Sequence, residues 1–183
     1  MFQEIKTITV YAASSAQISP VYFQAAKSLG KLLADNRITC INGAGCNGLM
    51  AAITDSMLEN GGKICGIIPQ FMIDKGWIHS AIPEVIITPD MHTRKQLMAQ
   101  KADACIALPG GVGTLEELLE VITWKQLGLY EKPIVILNTN GFYDDLLALF
   151  EKVDREHFFH HRETEMWQIA STPQAAVEML LNK

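Results

Sequence analysis

The chain has 183 residues, 49% of them hydrophobic and 19% charged, with a formal net charge of −5 at pH 7. That length and apolar share suit one core and a single domain over residues 1–183, and the acidic balance leaves no basic stripe for a nucleic-acid backbone. The opening M-F-Q-E-I-K carries no leader pattern, and no apolar run nears the roughly 20 residues of a membrane helix, so a soluble cytoplasmic protein without nucleic-acid or membrane partners is expected.

In chain order, the apolar run 5–11 reads as a strand and is followed by A-A-S-S-A, where Ser14 and Ser15 either reach ribose or phosphate oxygens or simply fill a turn. Ser19 is placed to cap a helix with Pro20 at its first position, running to about Asn36. A strand at 38–42 then leads into I-N-G-A-G-C-N-G-L-M, a glycine turn with Gly43 and Gly45, and a helix that Gly61 and Gly62 close. Strands at 63–68 and 84–88 follow. The helix 90–102, with Asp90 as N-cap, sets Met91, Arg94 and Met98 on one stripe with Lys95 and Lys101 at its edges. A cation on a partly apolar face needs an anion, unless Arg94 merely covers the core with its stem.

The strand 104–108 runs into L-P-G-G-V-G-T-L-E-E and a helix over 114–129. Glycines at 110, 111 and 113 permit positive φ and leave room for a bulky group to approach the amides. A P-loop would need a lysine before the threonine, and the G-x-G-x-x-G dinucleotide spacing is absent. Two readings stay open here. A phosphate rests on Gly110 to Thr114 at the helix N-terminus, or Thr114 and Glu117 form an S/T-x-x-E capping box and the glycines only make the turn. The glycine turn at 43–48 offers a second grip on the same ligand, on a neighbouring strand, if it is more than an ordinary βα turn.

A strand at 133–138 and helices at 142–155 and 173–182 complete the chain, and Leu118, Trp124 and Leu127 form an apolar helix side for the core or a subunit contact. His157, His160 and His161 share a helical face, but no carboxylate or cysteine is spaced to complete a metal site, and packing is the expected role. Cys40, Cys65 and Cys105 lie in strands as buried reduced thiols; Cys46 sits in a glycine loop with no histidine nearby to act as its base. Alternating β and α segments imply a parallel sheet covered on both faces, with ligands beyond the strands' carboxyl ends, at loops 12–18, 43–48, 69–80, 88–92 and 109–114.

P109-G-G-V-G-T-L-E-E117, with M91-H-T-R-K95 upstream and K-P-I-V-I-L-N at 132–138, resembles the LONELY GUY (LOG) family of cytokinin-activating nucleoside 5′-monophosphate phosphoribohydrolases, often labelled possible lysine decarboxylases. The resemblance covers nearly the whole chain. It implies a Rossmann-like three-layer α/β/α fold with about six or seven parallel strands, a homodimer whose partner chain completes part of each site, and hydrolysis of the N-glycosidic bond of a nucleoside monophosphate. No cofactor and no metal are implied, and nothing marks a pyridoxal-phosphate lysine. Arg94 and Glu117 match the family's catalytic pair. Gly110, Gly111, Gly113 and Thr114 match its phosphate loop, and Ser15, Gly43, Met91, Lys95, Pro109, Val112 and Thr123 fall at ligand-contacting positions. Departures are A12-A-S-S15 for C-G-S-S, I41-N-G-A-G45 for Y-G-G-G, and D74-K-G-W-I-H79 where relatives carry a base-contacting glutamate; Trp77 there is placed to stack on a base. A broad nucleosidase acting on AMP and a non-catalytic nucleotide or phosphosugar carrier are the rival readings.

Overall fold

The computed structural model describes residues 4–159 and 166–181. Seven strands are β1 (Thr7–Tyr11), β2 (Thr39–Asn42), β3 (Ile64–Pro69), β4 (Glu84–Thr88), β5 (Ala104–Ala107), β6 (Ile134–Leu137) and β7 (Gln168–Ala170). The helices are α1 (Pro20–Asp35), α2 (Gly48–Glu59), α3 (Gln70–Asp74), α4 (Met91–Lys101), α5 (Val112–Gln126), α6 (Asp144–Arg155) and α7 (Pro173–Leu181), with a 3₁₀ turn at Thr139–Gly141. All strand pairs are parallel, in the order β4-β3-β2-β1-β5-β6-β7. Six strands fall where the apolar runs predict them. The three-residue β7 and five-residue α3 were not expected.

The strands alternate strictly between two cores. Ile8 and Val10 of β1, Ala104 and Ile106 of β5, and Val135 and Leu137 of β6 face α1, α2 and α7. Tyr11, Cys105, Ala107, Ile134 and Ile136 face the other way, onto Met98 of α4, Leu118 and Val121 of α5, and Phe150 of α6. A period of two on strands that are apolar at nearly every position is what a sheet buried on both faces requires, and it yields the three layers. Burial pushes the thiols of Cys40 and Cys105 up to about 12 and that of Cys65 up to about 11, so these three are inert packing groups.

The order reverses between β1 and β5, whose outgoing chains run to opposite faces. That divergence opens a crevice beyond their carboxyl ends, the place where such sheets hold ligands. The loops at 43–48 and 109–114 are therefore not on neighbouring strands as expected: β1 lies between them.

Candidate active site

At the crevice, α5 begins at Val112 with Gly111 as its N-cap and no side-chain capping bond; Leu115 N donates to Gly111 O at 3.0 Å. The helix thus starts three residues before the S/T-x-x-E pattern places it, Thr114 lies within the first turn, and the capping box does not form. The amides of Val112, Gly113 and Thr114 have no intrahelical acceptor by helix geometry, and their dipole end faces the cavity. None of Gly110, Gly111 and Gly113 adopts positive φ, contrary to the expectation. Gly110 is required for another reason: a Cβ there would collide with the Thr114 side chain. Gly111 and Gly113 are exposed, and beyond their chain neighbours and the helix's own backbone nothing lies within 4 Å of where a Cβ would sit, so both positions are open.

With its carboxylate not used in capping, Glu117 turns inward after the first turn of the helix. Its Oε1 lies 3.2 Å from Nη2 of Arg94, and the two residues are only 7% and 6% exposed. Arg94 stands on α4, which Asp90 caps by accepting from Thr93 N at 2.7 Å, as its sequence predicts. Its Nε donates to Ile67 O at 3.2 Å and its Nη1 to Met91 Sδ at 3.5 Å. Burial pushes the Glu117 carboxyl up to about 7 against the opposing pull of the Arg94 guanidinium. A carboxyl tuned there exchanges protons readily at neutral pH.

A cavity of about 260 Å³ joins these parts. Val112, Gly113 and Thr114 form one end, Arg94 and Glu117 its floor, and Ala12, Ala13 and Ser14 of the β1 loop a side. Met50, Met72 and Met91 build an apolar wall, of which only Met91 was signalled by sequence; Met50 and Met72 come from separate elements with no shared motif. Several expected ligand residues stand elsewhere. Ser15 is exposed, and its Oγ accepts from Gln17 N; its neighbour Ser14 lines the cavity instead. Lys95 does not line the cavity; its Nζ meets Glu116, which does, at 2.7 Å and Glu120 at 3.2 Å. Burial works against its charge, but these hydrogen bonds prevail and raise its pKa, the reverse of what a Schiff-base lysine needs. Thr123 is exposed and donates to Leu119 O, and Pro109 is buried behind the loop. Gly43 backs onto Arg94.

The first turn of α2, after the 43–48 loop, is met by the protein's own backbone. Leu49 N and Met50 N both point at Ala13 O, at 2.9 and 3.4 Å, and Gly48, at φ 64°, packs on the backbone of residues 13–15. The Cys46 thiol donates to Gly76 O. The Trp77 indole is outside the cavity lining, under the Lys75 ammonium at 4.8 Å, while its carbonyl accepts from Cys46 N. Of the histidine cluster, His160 and His161 lie outside the described residues.

Residues 50–180 match the family model described as possible lysine decarboxylase. The chain is 44% identical over 153 residues to the cytokinin riboside 5′-monophosphate phosphoribohydrolase LOG7 of Arabidopsis thaliana, covering 84% of this chain and 70% of the relative. It is 42% identical over 173 residues to a rice protein, Oryza sativa subsp. japonica, named probable cytokinin riboside 5′-monophosphate phosphoribohydrolase LOGL1, covering 94% and 76%. Among solved structures, the molybdenum cofactor carrier protein of Chlamydomonas reinhardtii shares the fold at a TM-score of 0.74 and 22% identity, covering 98% of this chain and 100% of the other. Membership is thus established by two curated relatives and a family model that spans most of the chain: it belongs to the LOG family.

Proposed function

We propose that the chain hydrolyses the N-glycosidic bond of a nucleoside 5′-monophosphate to the free base and ribose 5-phosphate. The observation that carries this is the buried Arg94–Glu117 pair on the floor of a cavity that ends at the open N-terminus of α5. The 5′-phosphate rests on the amides of Val112 to Thr114, which anchors the sugar over Glu117. As the bond from C1′ to the base nitrogen breaks, its electron pair leaves with the base and positive charge builds on the ribose, facing the carboxylate. Water oxygen then bonds to C1′, and its proton passes through Glu117 toward the departing base, a transfer suited to a carboxyl that titrates near neutrality. Arg94 is already committed to Ile67, Met91 and Glu117, which supports its holding the carboxylate over its protonating the base.

The methionine wall supports a base with an apolar substituent, as in the cytokinin riboside monophosphates of the relatives' names. We also assign a homodimer, supported by the exposed apolar face of α5 and the chain after it: Leu119, Leu127 and Leu129 are 41%, 63% and 72% exposed beside half-buried Trp124. A cytoplasmic setting suits its four free cysteines, and none of the described helices is long and apolar enough to cross a membrane.

Product analysis with AMP, isopentenyladenosine monophosphate and adenosine tests the reading. Release of ribose 5-phosphate from the prenylated nucleotide ahead of AMP is expected, with adenosine inert. Equal rates on both nucleotides would make the enzyme a general nucleosidase, and tight binding without products would make the chain a carrier. Sedimentation should give a dimer.

A further inference from the structure

Gly43 lies in the loop after β2 with a φ outside the left-handed region, so no turn demands glycine there. A Cβ at this position would fall on Nη2 of Arg94, with Met50 Sδ 3.2 Å away. The Arg94 guanidinium is the far end of a long side chain, so the backbone can accommodate a methyl group by letting it swing aside. The three contacts of that guanidinium cannot survive the swing, since each is at hydrogen-bond range.

We infer that Gly43 is a positioning residue of this site: its missing side chain provides the seat from which Arg94 holds Glu117. The groups facing Glu117 are Arg94 and Lys95 from α4, Glu116 and Glu120 on its own helix, Tyr11 from β1 and Tyr143 before α6. Only the two cations favour the ionised carboxylate, and Lys95 is already engaged by Glu116 and Glu120. Moving Arg94 therefore leaves the Glu117 carboxylate buried with little support, and its titration moves to higher pH.

The kinetic part of the test rests on the hydrolase reading; the other parts do not. Wild type, Gly43→Ala, Arg94→Ala and the double variant are compared by thermal melting, by carbon-13 titration of the Glu117 carboxyl assigned with Glu117→Gln, and by kcat against pH. In Gly43→Ala the Glu117 midpoint should rise by at least about half a pH unit. Its kcat at pH 7 should fall at least about tenfold with KM within about threefold, and part of the loss should return at higher pH. In the Arg94→Ala background the added methyl meets no guanidinium and only Met50 Sδ remains close, so Gly43→Ala should there change the melting temperature and the residual rate far less than it does in wild type. A Glu117 titration and pH profile superimposed on wild type, or losses that simply add in the double variant, would overturn the inference. If wild type cleaves no nucleotide, the hydrolase reading falls while the carboxyl titration and the melting cycle still decide the role of Gly43.

Discussion

The loops 43–48 and 109–114 follow one plan, strand then glycine turn then helix, and have opposite duties. The second opens the first-turn amides of α5 onto the cavity. In the first, the protein fills its own site: Ala13 O takes the amides of Leu49 and Met50, and the glycines face Arg94 and Met50. Sheet order decides which is which. Chain leaving β1 heads for α1, which shares a layer with α2, and on the way the β1 loop brings Ala13 O onto the first turn of α2. A glycine turn before a helix binds anions only where no carbonyl of the same chain gets there first. One loop is the grip and the other the brace.

The largest effect should come from the residue on which grip and brace meet. Glu117→Gln removes the charge facing the ribosyl group, so kcat should fall at least about a hundredfold, on the order of 3 kcal/mol, with the nucleotide still bound. Turnover within about threefold of wild type would leave the pair without a catalytic role. The same variant has a stability signature. Glu117 titrates higher folded than unfolded, so its contribution is fully present below the ordinary carboxylate pKa and is lost as pH rises through about 7. The melting temperature of wild type relative to Glu117→Gln should therefore decline from about pH 4.5 to 7; a constant difference would contradict the raised carboxyl.

The next two substitutions separate the loops directly. Gly48, at φ 64° and with Ala13 O 2.6 Å from where a Cβ would sit, belongs to the brace. Gly48→Ala should cost at least about 2 kcal/mol of stability, a drop of roughly 4 to 8 °C in Tm, with little change in nucleotide affinity at low temperature. Gly113→Val does the reverse: its side chain enters open cavity, so Tm should stay within about 2 °C while nucleotide binding weakens at least about tenfold, near 1.4 kcal/mol. If both variants lose binding and stability alike, the two loops share one duty.

Much of this contrast was beyond the reach of sequence, for identifiable reasons. The fold was legible because strands buried on both faces read as unbroken apolar runs, and Asp90 and Pro20 mark helix starts by local chemistry. Yet Ser19, correctly placed before Pro20, makes no capping bond. The strand β7 is three residues long, too short to carry a period. Arg94 could be paired with an anion in advance, since a cation on an apolar face requires one. Thr114 misled, because threonine three residues before glutamate mimics a capping box, while the actual cap, Gly111, has no side chain to advertise it. Whether a helix's amides are free depends on Ala13, a residue 36 positions from Leu49 with no polar side chain to suggest a contact.

The smallest effect concerns the strained residue inside the brace. Ala44, buried and at φ 56°, occupies a conformation that costs a non-glycine residue about 1 to 2 kcal/mol. Its methyl fills the gap beside Gly66 of β3, where a Cβ would stand 2.7 Å from it and 3.3 Å from Ile82. Ala44→Gly relieves the backbone, yet it frees the unfolded chain by a similar amount and empties a methyl-sized gap, so stability should change by less than about 1 kcal/mol. Gly66→Ala alone overpacks the site and should destabilise by about 1 to 3 kcal/mol. The swap, Ala44→Gly with Gly66→Ala, returns one methyl to the same space from the strand side, at a φ any residue can hold, and should recover most of that loss. A coupling energy of at least about 1 kcal/mol between the two positions is the measurement that matters. Additive losses would mean that Ala44 is held by something other than its fit to Gly66, and that the brace is looser than its geometry indicates.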